Sequence, residues 1–203
     1  AILHLLNDYN ANENQTSLYS AVKTLDSMYQ GGIYDHIGGG FARYSVDEKW
    51  LVPHFEKMLY DNAQLMEAYL VGYQLTKNED YLLVISQILE WLKDEMIDVN
   101  GGFYSSMDAD SEGVEGKYYV WKPEEINEIL SEKDAKIFNQ YFDISQNGNW
   151  EGNSIPNIIM KKSSLATLLE IPKSEIESSL ESSRLKIKEY RKSRIAPGTD
   201  DKI

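Results

Sequence analysis

The chain has 203 residues, with 20 Lys and Arg against 33 Asp and Glu and a net charge of −13. That excess of acid disfavours nucleic acid as a partner, because phosphate contacts need clustered Lys and Arg. There is no cysteine, which excludes disulfides, thiolate nucleophiles and Cys-ligated zinc and suits a cytoplasmic protein; no uncharged apolar run is long enough to span a membrane.

Residues 1–12 are a short apolar piece followed by a polar break. Residues 17–30 read as a helix, with Leu18, Val22, Leu25 and Tyr29 at helical spacing, stopped by Gly31-Gly32. A glycine-rich segment follows, with short extended pieces expected at 41–45 and 50–52. Pro53 precedes a helix expected over 55–75, with Leu59, Ala63, Met66, Leu70 and Tyr73 on its apolar face. After a turn at 76–78, a third helix is expected over 79–96, making an antiparallel hairpin of helices. Residues 103–107 and 117–121 have strand composition and read as a β-hairpin with an acidic loop between them. Pro123 and Ser131 each open a helix. A turn-rich loop at 143–157 leads to a short helix at 164–169 and a longer one at 174–194. The basic residues from Arg184 to Arg194 alternate with acids, which favours a solvated face. The closing APGTDDKI reads as a connection to a further element.

The chemistry concentrates in Gly31–Asn62, GGIYDHIGGGFARYSVDEKWLVPHFEKMLYDN, which holds five of the 13 glycines and two of the three histidines. Asp35 beside His36 can orient an imidazole for acid–base work, and His54-x-Glu56 brings a second imidazole and carboxylate. On the expected helix, Glu56 lies four residues from Tyr60, and Lys57 four from Asp61, a surface ion pair. The candidate catalytic residues are therefore His36, His54, Glu56 and Asp61. Asp35, Arg43, Tyr44, Asp47, Trp50, Tyr60, Asn62, Asp108 and Asp110 are the candidates for binding substrate, since aromatics among carboxylates and an arginine are the usual lining of a sugar site. The D-x-D-x-E-G run from Asp108 resembles the opening of an EF-hand loop. Tyr119 stands where that loop needs its bidentate glutamate, so a solvated or ligand-facing tip is favoured. No metal or cofactor is expected. The triple glycine at 38–40 fits neither nucleotide fingerprint. The pattern at Met28–Trp50 is echoed at Met96–Trp121, each a helix end, a glycine pair, a tyrosine and an excursion to a tryptophan. That echo suits a toroid of helical hairpins with its loops on one rim, the acidic tip at 108–115 sharing the cleft.

The segments GGIYDHIGGGFARYSVDEKWLVPHFEKMLYDNAQL, GGFYSSMDADSEGVEGKYYVW and the closing DDKI resemble the thioredoxin-domain-containing, spermatogenesis-associated proteins and their bacterial and archaeal relatives. The resemblance implies a mainly α-helical fold. A thioredoxin-like domain precedes an (α/α)6 toroid similar to N-acylglucosamine 2-epimerases and six-hairpin glycosidases. This chain has no Cys-x-x-Cys, and it stops where the family continues. Residues 1–203 are thus expected to be the first part of the toroid, with small β-hairpin excursions on one rim; the thioredoxin-like domain and the second half lie outside. The implied work is on a sugar or glycan, by histidine pairs as in epimerisation or by carboxylates as in glycoside hydrolysis. The alternative is a non-catalytic scaffold or binding module that works with the thioredoxin-like domain.

Overall fold

The computed structural model describes residues 1–202; Ile203, the last residue of the DDKI match, lies outside the described residues. The fold is mainly helical, with small antiparallel strand pairs. Helices α1 (Ile2–Asn12) and α2 (Gln15–Gln30) precede the glycine-rich segment. Strand β1 (Lys57–Met58) leads into α3 (Leu59–Thr76), and α4 (Glu79–Trp91) runs on into a π-helical turn over Leu92–Met96. Asn14 caps α2 by accepting from the Thr16 and Ser17 amides, and Asn78 caps α4 by accepting from the Asp80 amide. Lys77 in the left-handed conformation closes α3, so the expected α3–α4 hairpin forms around residues 76–78.

The middle of the chain departs from expectation. Residues 103–107 do not pair with 117–121. Strand β2 (Ser106–Met107) sits between β1 and the distant β5 (Thr199–Asp200), with Lys57 opposite Met107 and Ser106 opposite Asp200. The acidic tip makes its own hairpin from β3 (Asp110–Ser111) and β4 (Val114–Glu115). Its two turn residues, Glu112 and Gly113, have φ of 55° and 74°, the double positive φ that a tight two-residue hairpin turn requires. The expected helix over 55–75 starts four residues late, because Lys57 and Met58 are drawn into the sheet. Its buried face also differs: Asn62, Ala68, Tyr69 and Gly72 point inward, whereas Leu70 is exposed. The helix is apolar on several sides, and a polar residue settles its orientation. Asn62 is fully buried, accepting from the Phe41 amide at 2.7 Å and donating to the Phe41 carbonyl at 3.0 Å.

Helices α5 (Pro123–Ile129), α6 (Glu132–Tyr141), α7 (Lys162–Leu169) and α8 (Lys173–Arg191) surround a second core that includes Trp121, Ile126, Phe138, Leu165 and Ile187. The first core gathers Leu25, Tyr34, Phe41, Tyr69, Tyr81 and Trp91. Helix α8 is not solvated along its basic face, as its composition suggests. Arg184 and Arg191 are buried, and Arg184, Lys188 and Arg191 reach Glu90, Asp94 and Glu95 near the end of α4. The spacing of these cations at i, i+4 and i+7 puts them on one face.

The glycine run is a packing device. At Gly38 a Cβ would meet the Arg191 guanidinium at 1.8 Å, and at Gly39, with φ of 85°, it would meet the Gln87 carbonyl oxygen at 2.1 Å. Gly39→Ala should therefore cost about 3 kcal/mol or more, combining left-handed strain with a backbone collision. Gly113→Ala, at φ of 74° with nothing within 4 Å, should cost about 1 kcal/mol, the strain alone. Urea denaturation of both variants checks the difference, and equal losses would sink the packing explanation.

Candidate functional site

Two polar clusters emerge from the glycine-rich segment, one sealed and one open. The sealed cluster centres on Asp35, whose side chain is 7% exposed. It takes both oxygens to Arg191, at 2.9 and 2.8 Å, and binds Lys57 Nζ at 2.8 Å. Its Oδ1 also accepts from the Ile37 and Gly38 amides. Lys57 Nζ donates again to the Gly39 carbonyl and lies over the rings of Trp91 and Tyr119. Burial works against the Asp35 charge, but Arg191 and Lys57 outweigh it and hold the carboxyl well below the usual carboxylate range. Burial lowers Lys57, with Asp35 opposing. Lys57 therefore does not make the surface pair with Asp61 that the expected helix offered.

His36 lies beside this cluster in the core, 4% exposed, between Tyr34 and Phe142. Its Nε2 is 3.1 Å from the Gly31 carbonyl oxygen. Burial lowers its pKa to about 4, so the ring is neutral at pH 7. Asp47 accepts from the Lys49, Leu51 and Val52 amides and folds the tip of the excursion. Trp50 is half-buried against the first core, with φ of 64°. Asp35, His36, Asp47, Trp50 and Asn62 thus hold the segment in shape.

The open cluster stands on a narrow ribbon. The Arg43 amide donates to the Glu56 carbonyl at 2.8 Å, the His54 amide to Tyr44 at 3.0 Å and the Val46 amide to Val52 at 2.8 Å. Ribbon pairing brings Arg43 Nη1 to Glu56 Oε2 at 3.3 Å and stacks Tyr44 on His54 with ring centres 4.9 Å apart. His54 Nδ1 lies 3.1 Å from Glu115 Oε1, so the acidic tip does meet this segment, through Glu115. Asp108 instead bonds the Ala109 amide at its own turn, and Asp110 is exposed on β3. Tyr60, half-exposed, and Asp61 extend the cluster at the start of α3.

Asp61 is the most unusual member. Its Oδ2 is buried without a partner among the described residues. Burial raises its pKa, Arg43 opposes the rise and Glu56 adds to it. A carboxyl with this environment holds a proton more readily than an exposed aspartate. Arg43 and Asp61 line a cavity of about 260 Å³ with Gln64, Leu65, Ile2 and Met28. Sequence reasoning missed Lys57 and Arg191 as the partners of Asp35. Nothing local signals them, because Arg191 is 156 residues away.

The chain is 35% identical to an uncharacterized protein of Caenorhabditis elegans over 231 aligned positions, covering 99% of this chain and 32% of that protein. It is 35% identical to human spermatogenesis-associated protein 20 over 90% of this chain and 26% of that protein. The mouse protein of the same name is 39% identical over 68% of this chain and 19% of its own length. This chain is similar to a part of spermatogenesis-associated protein 20. It spans between about a fifth and a third of the length of these relatives. The worm alignment takes in almost every residue here, the two clusters included. No protein-family model matches the chain. No helix among the described residues is long and apolar enough to cross a membrane.

The sealed cluster sets the acid side of the stability profile. The unfolded chain takes up a proton at His36 near pH 6.5, which the folded protein holds off until about 4. Stability should therefore fall by about 3 kcal/mol as the pH drops through that interval. Below it Asp35 adds a second loss. Its folded pKa is depressed, so its contribution is fully present above the ordinary carboxylate value and is lost progressively as the pH falls from there toward the lower folded value. Denaturation midpoints measured from pH 7 to 2 should show both slopes, and His36→Gln should flatten only the first. Arg191→Met, which leaves the Asp35 charge with half its compensation, should cost about 3–5 kcal/mol at pH 7 by the same assay.

Proposed function

We propose that the open cluster is an acid–base site acting on a sugar or glycan, of the sugar-epimerase or glycoside-hydrolase kind, within an (α/α)6 toroid to which this chain contributes the first part. The observation that carries this reading is the pairing of two neighbouring carboxyls in unlike environments. Asp61 has a buried, unpartnered oxygen and a raised pKa, whereas Glu56 is ion-paired with Arg43. Carboxyls set apart in this way can divide the roles of proton donor and base. Asp61 is the donor in this reading and Glu56 the base, with His54 beside them. Arg43, Tyr44 and Tyr60 supply the guanidinium and aromatic faces that hydroxyls and apolar sugar faces need. Asp35, His36, Asp47 and Asn62 position the segment.

A second reading is a non-catalytic module that holds a glycan or protein for a thioredoxin-like domain elsewhere in the polypeptide. One observation favours it: Asp35, His36, Lys57 and Asn62, four polar residues of the glycine-rich segment, are bonded internally and turned away from the surface. A panel of free sugars and aryl glycosides, assayed for binding and for turnover on a polypeptide of the relatives' full length, separates the two. The acid–base reading expects Asp61→Asn to lose turnover by about a hundredfold or more, with affinity changed only a few-fold. Saturable sugar binding with no turnover in the unmodified protein would favour the module.

A further inference from the structure

A second pocket, of about 480 Å³, opens where the ends of α2 and α6 meet the starts of α4, α7 and α8. None of its lining residues belongs to the Arg43 cluster. Tyr29 and Tyr141 form its inner wall, 8% and 5% exposed. Neither hydroxyl has a hydrogen-bond partner among the described residues. Burial raises both phenols, and the next cause for each is the charge of Asp80, which also lines the pocket. Tyr29, Tyr141 and Asp80 thus share the lining of one pocket. Two hydroxyls that no protein group engages, on side chains otherwise enclosed, are free to bond a polar group that enters the pocket.

The rim has the opposite character. Lys161, Lys162, Ser163 and Lys173 line it. Lys161 stands at the N-cap of α7 and makes no side-chain cap, since a lysine has no acceptor to offer. The Ser164 amide turns back to the Lys161 carbonyl at 3.0 Å, and the Lys162 and Ser163 amides are left for an acceptor from outside, at the positive end of the helix and beside two lysines. Lys173 is paired with Glu177 at 3.3 Å, whereas Lys161 and Lys162 make no ion pair among the described residues. In a chain of net charge −13 this concentration of cations goes against the overall balance.

The two ends ask for different chemistry in one molecule. The rim suits a dianion held by ammonium groups and backbone amides. The wall suits neutral hydroxyls, with two phenols to donate or accept and Asp80 to accept. A pocket of this volume holds a small metabolite rather than a macromolecule. We propose that this pocket binds a small phosphorylated polyol, of the sugar monophosphate class, with the phosphoryl group at the start of α7 against Lys161 and Lys162 and the hydroxyls on Tyr29, Tyr141 and Asp80.

Calorimetric titration tests this, with hexose and pentose monophosphates, the parent sugars, inorganic phosphate and O-phosphoserine as probes. At least one sugar monophosphate should bind saturably, about tenfold or more tighter than its parent sugar, inorganic phosphate or O-phosphoserine. The surface double variant Lys161→Ala/Lys162→Ala should weaken that binding about tenfold or more. Tyr141→Phe should weaken it several-fold while leaving the response to inorganic phosphate unchanged. Asp61→Asn, in the other cluster, should leave it unaltered. Absence of saturable binding by every monophosphate, or binding indifferent to the lysine pair, would overturn the proposal. Equal affinity for inorganic phosphate or O-phosphoserine would overturn the polyol assignment, since it would mean that the phosphoryl group alone is recognised.

Discussion

The arrangement of this chain turns on one buried carboxylate. Asp35 binds Arg191 from α8 and Lys57 from β1, and Arg191 Nη2 also approaches Glu95 at 3.5 Å in the π-helical turn. Two acids and two bases thus balance within the interior. Burying any one of them alone would cost several kcal/mol, so each holds the others in place. Their positions in the chain give the cluster its reach. It ties the segment after α2 to the strand before α3, the end of α4 and the end of α8. A one-residue slip of α8 would turn Arg191 off this face and leave Asp35 with Lys57 alone. Its clearest effect is therefore on register, whatever its net effect on stability.

The glycines follow from that constraint. A run of three glycines among charged and aromatic residues invites the reading that a ligand approaches the backbone. Here the approaching groups belong to the protein: Arg191 at Gly38, the Gln87 carbonyl at Gly39 and the Trp91 ring at Gly40. Gly31 and Gly32 likewise face the Trp50 and Leu51 carbonyls, where a Cβ would stand 2.3 and 2.2 Å away. A residue pattern shaped by close internal packing and one shaped by ligand approach look alike in sequence, because both require the missing Cβ.

What could be read from sequence was local, and what could not was distant. Ser131 caps the helix it precedes, and the helical hairpin of α3 and α4 follows from periodicity and its turn. The three-stranded sheet was illegible because each strand is two residues long and its partners lie as far apart as Lys57 and Thr199. Lys57 was misread for a related reason. Asp61 four residues on offered a cheap surface partner, whereas the true partner requires the strand that displaces the helix start. The open cluster was legible in its members, Arg43, Tyr44, His54, Glu56, Tyr60 and Asp61. The link from His54 to Glu115 needed the fold of the acidic hairpin. The buried tyrosines of the second pocket gave no signal, because a tyrosine in a helical apolar stripe reads as core.

The sealed and open clusters are not separate features, because one stretch of backbone builds both. Along 54–57, His54 and Glu56 are partly exposed while Phe55 and Lys57 are buried. Phe55 turns the ribbon with φ of 55°, and the Glu56 amide donates to the His54 carbonyl at 2.7 Å around it. Such a conformation costs an aromatic residue free energy, and it is held by stacking on Tyr119 and packing against Trp150. Lys57, anchored on Asp35, fixes the next residue. The carboxyl of Glu56 and the ring of His54 are therefore aimed outward by neighbours that are locked inward. A change at Asp35 or Arg191 reaches the open cluster through this alternation, with no path of polar contacts needed between them. This is why a segment with several polar groups consumed in packing can still present a defined surface: the consumed groups supply the rigidity from which the exposed ones take their geometry.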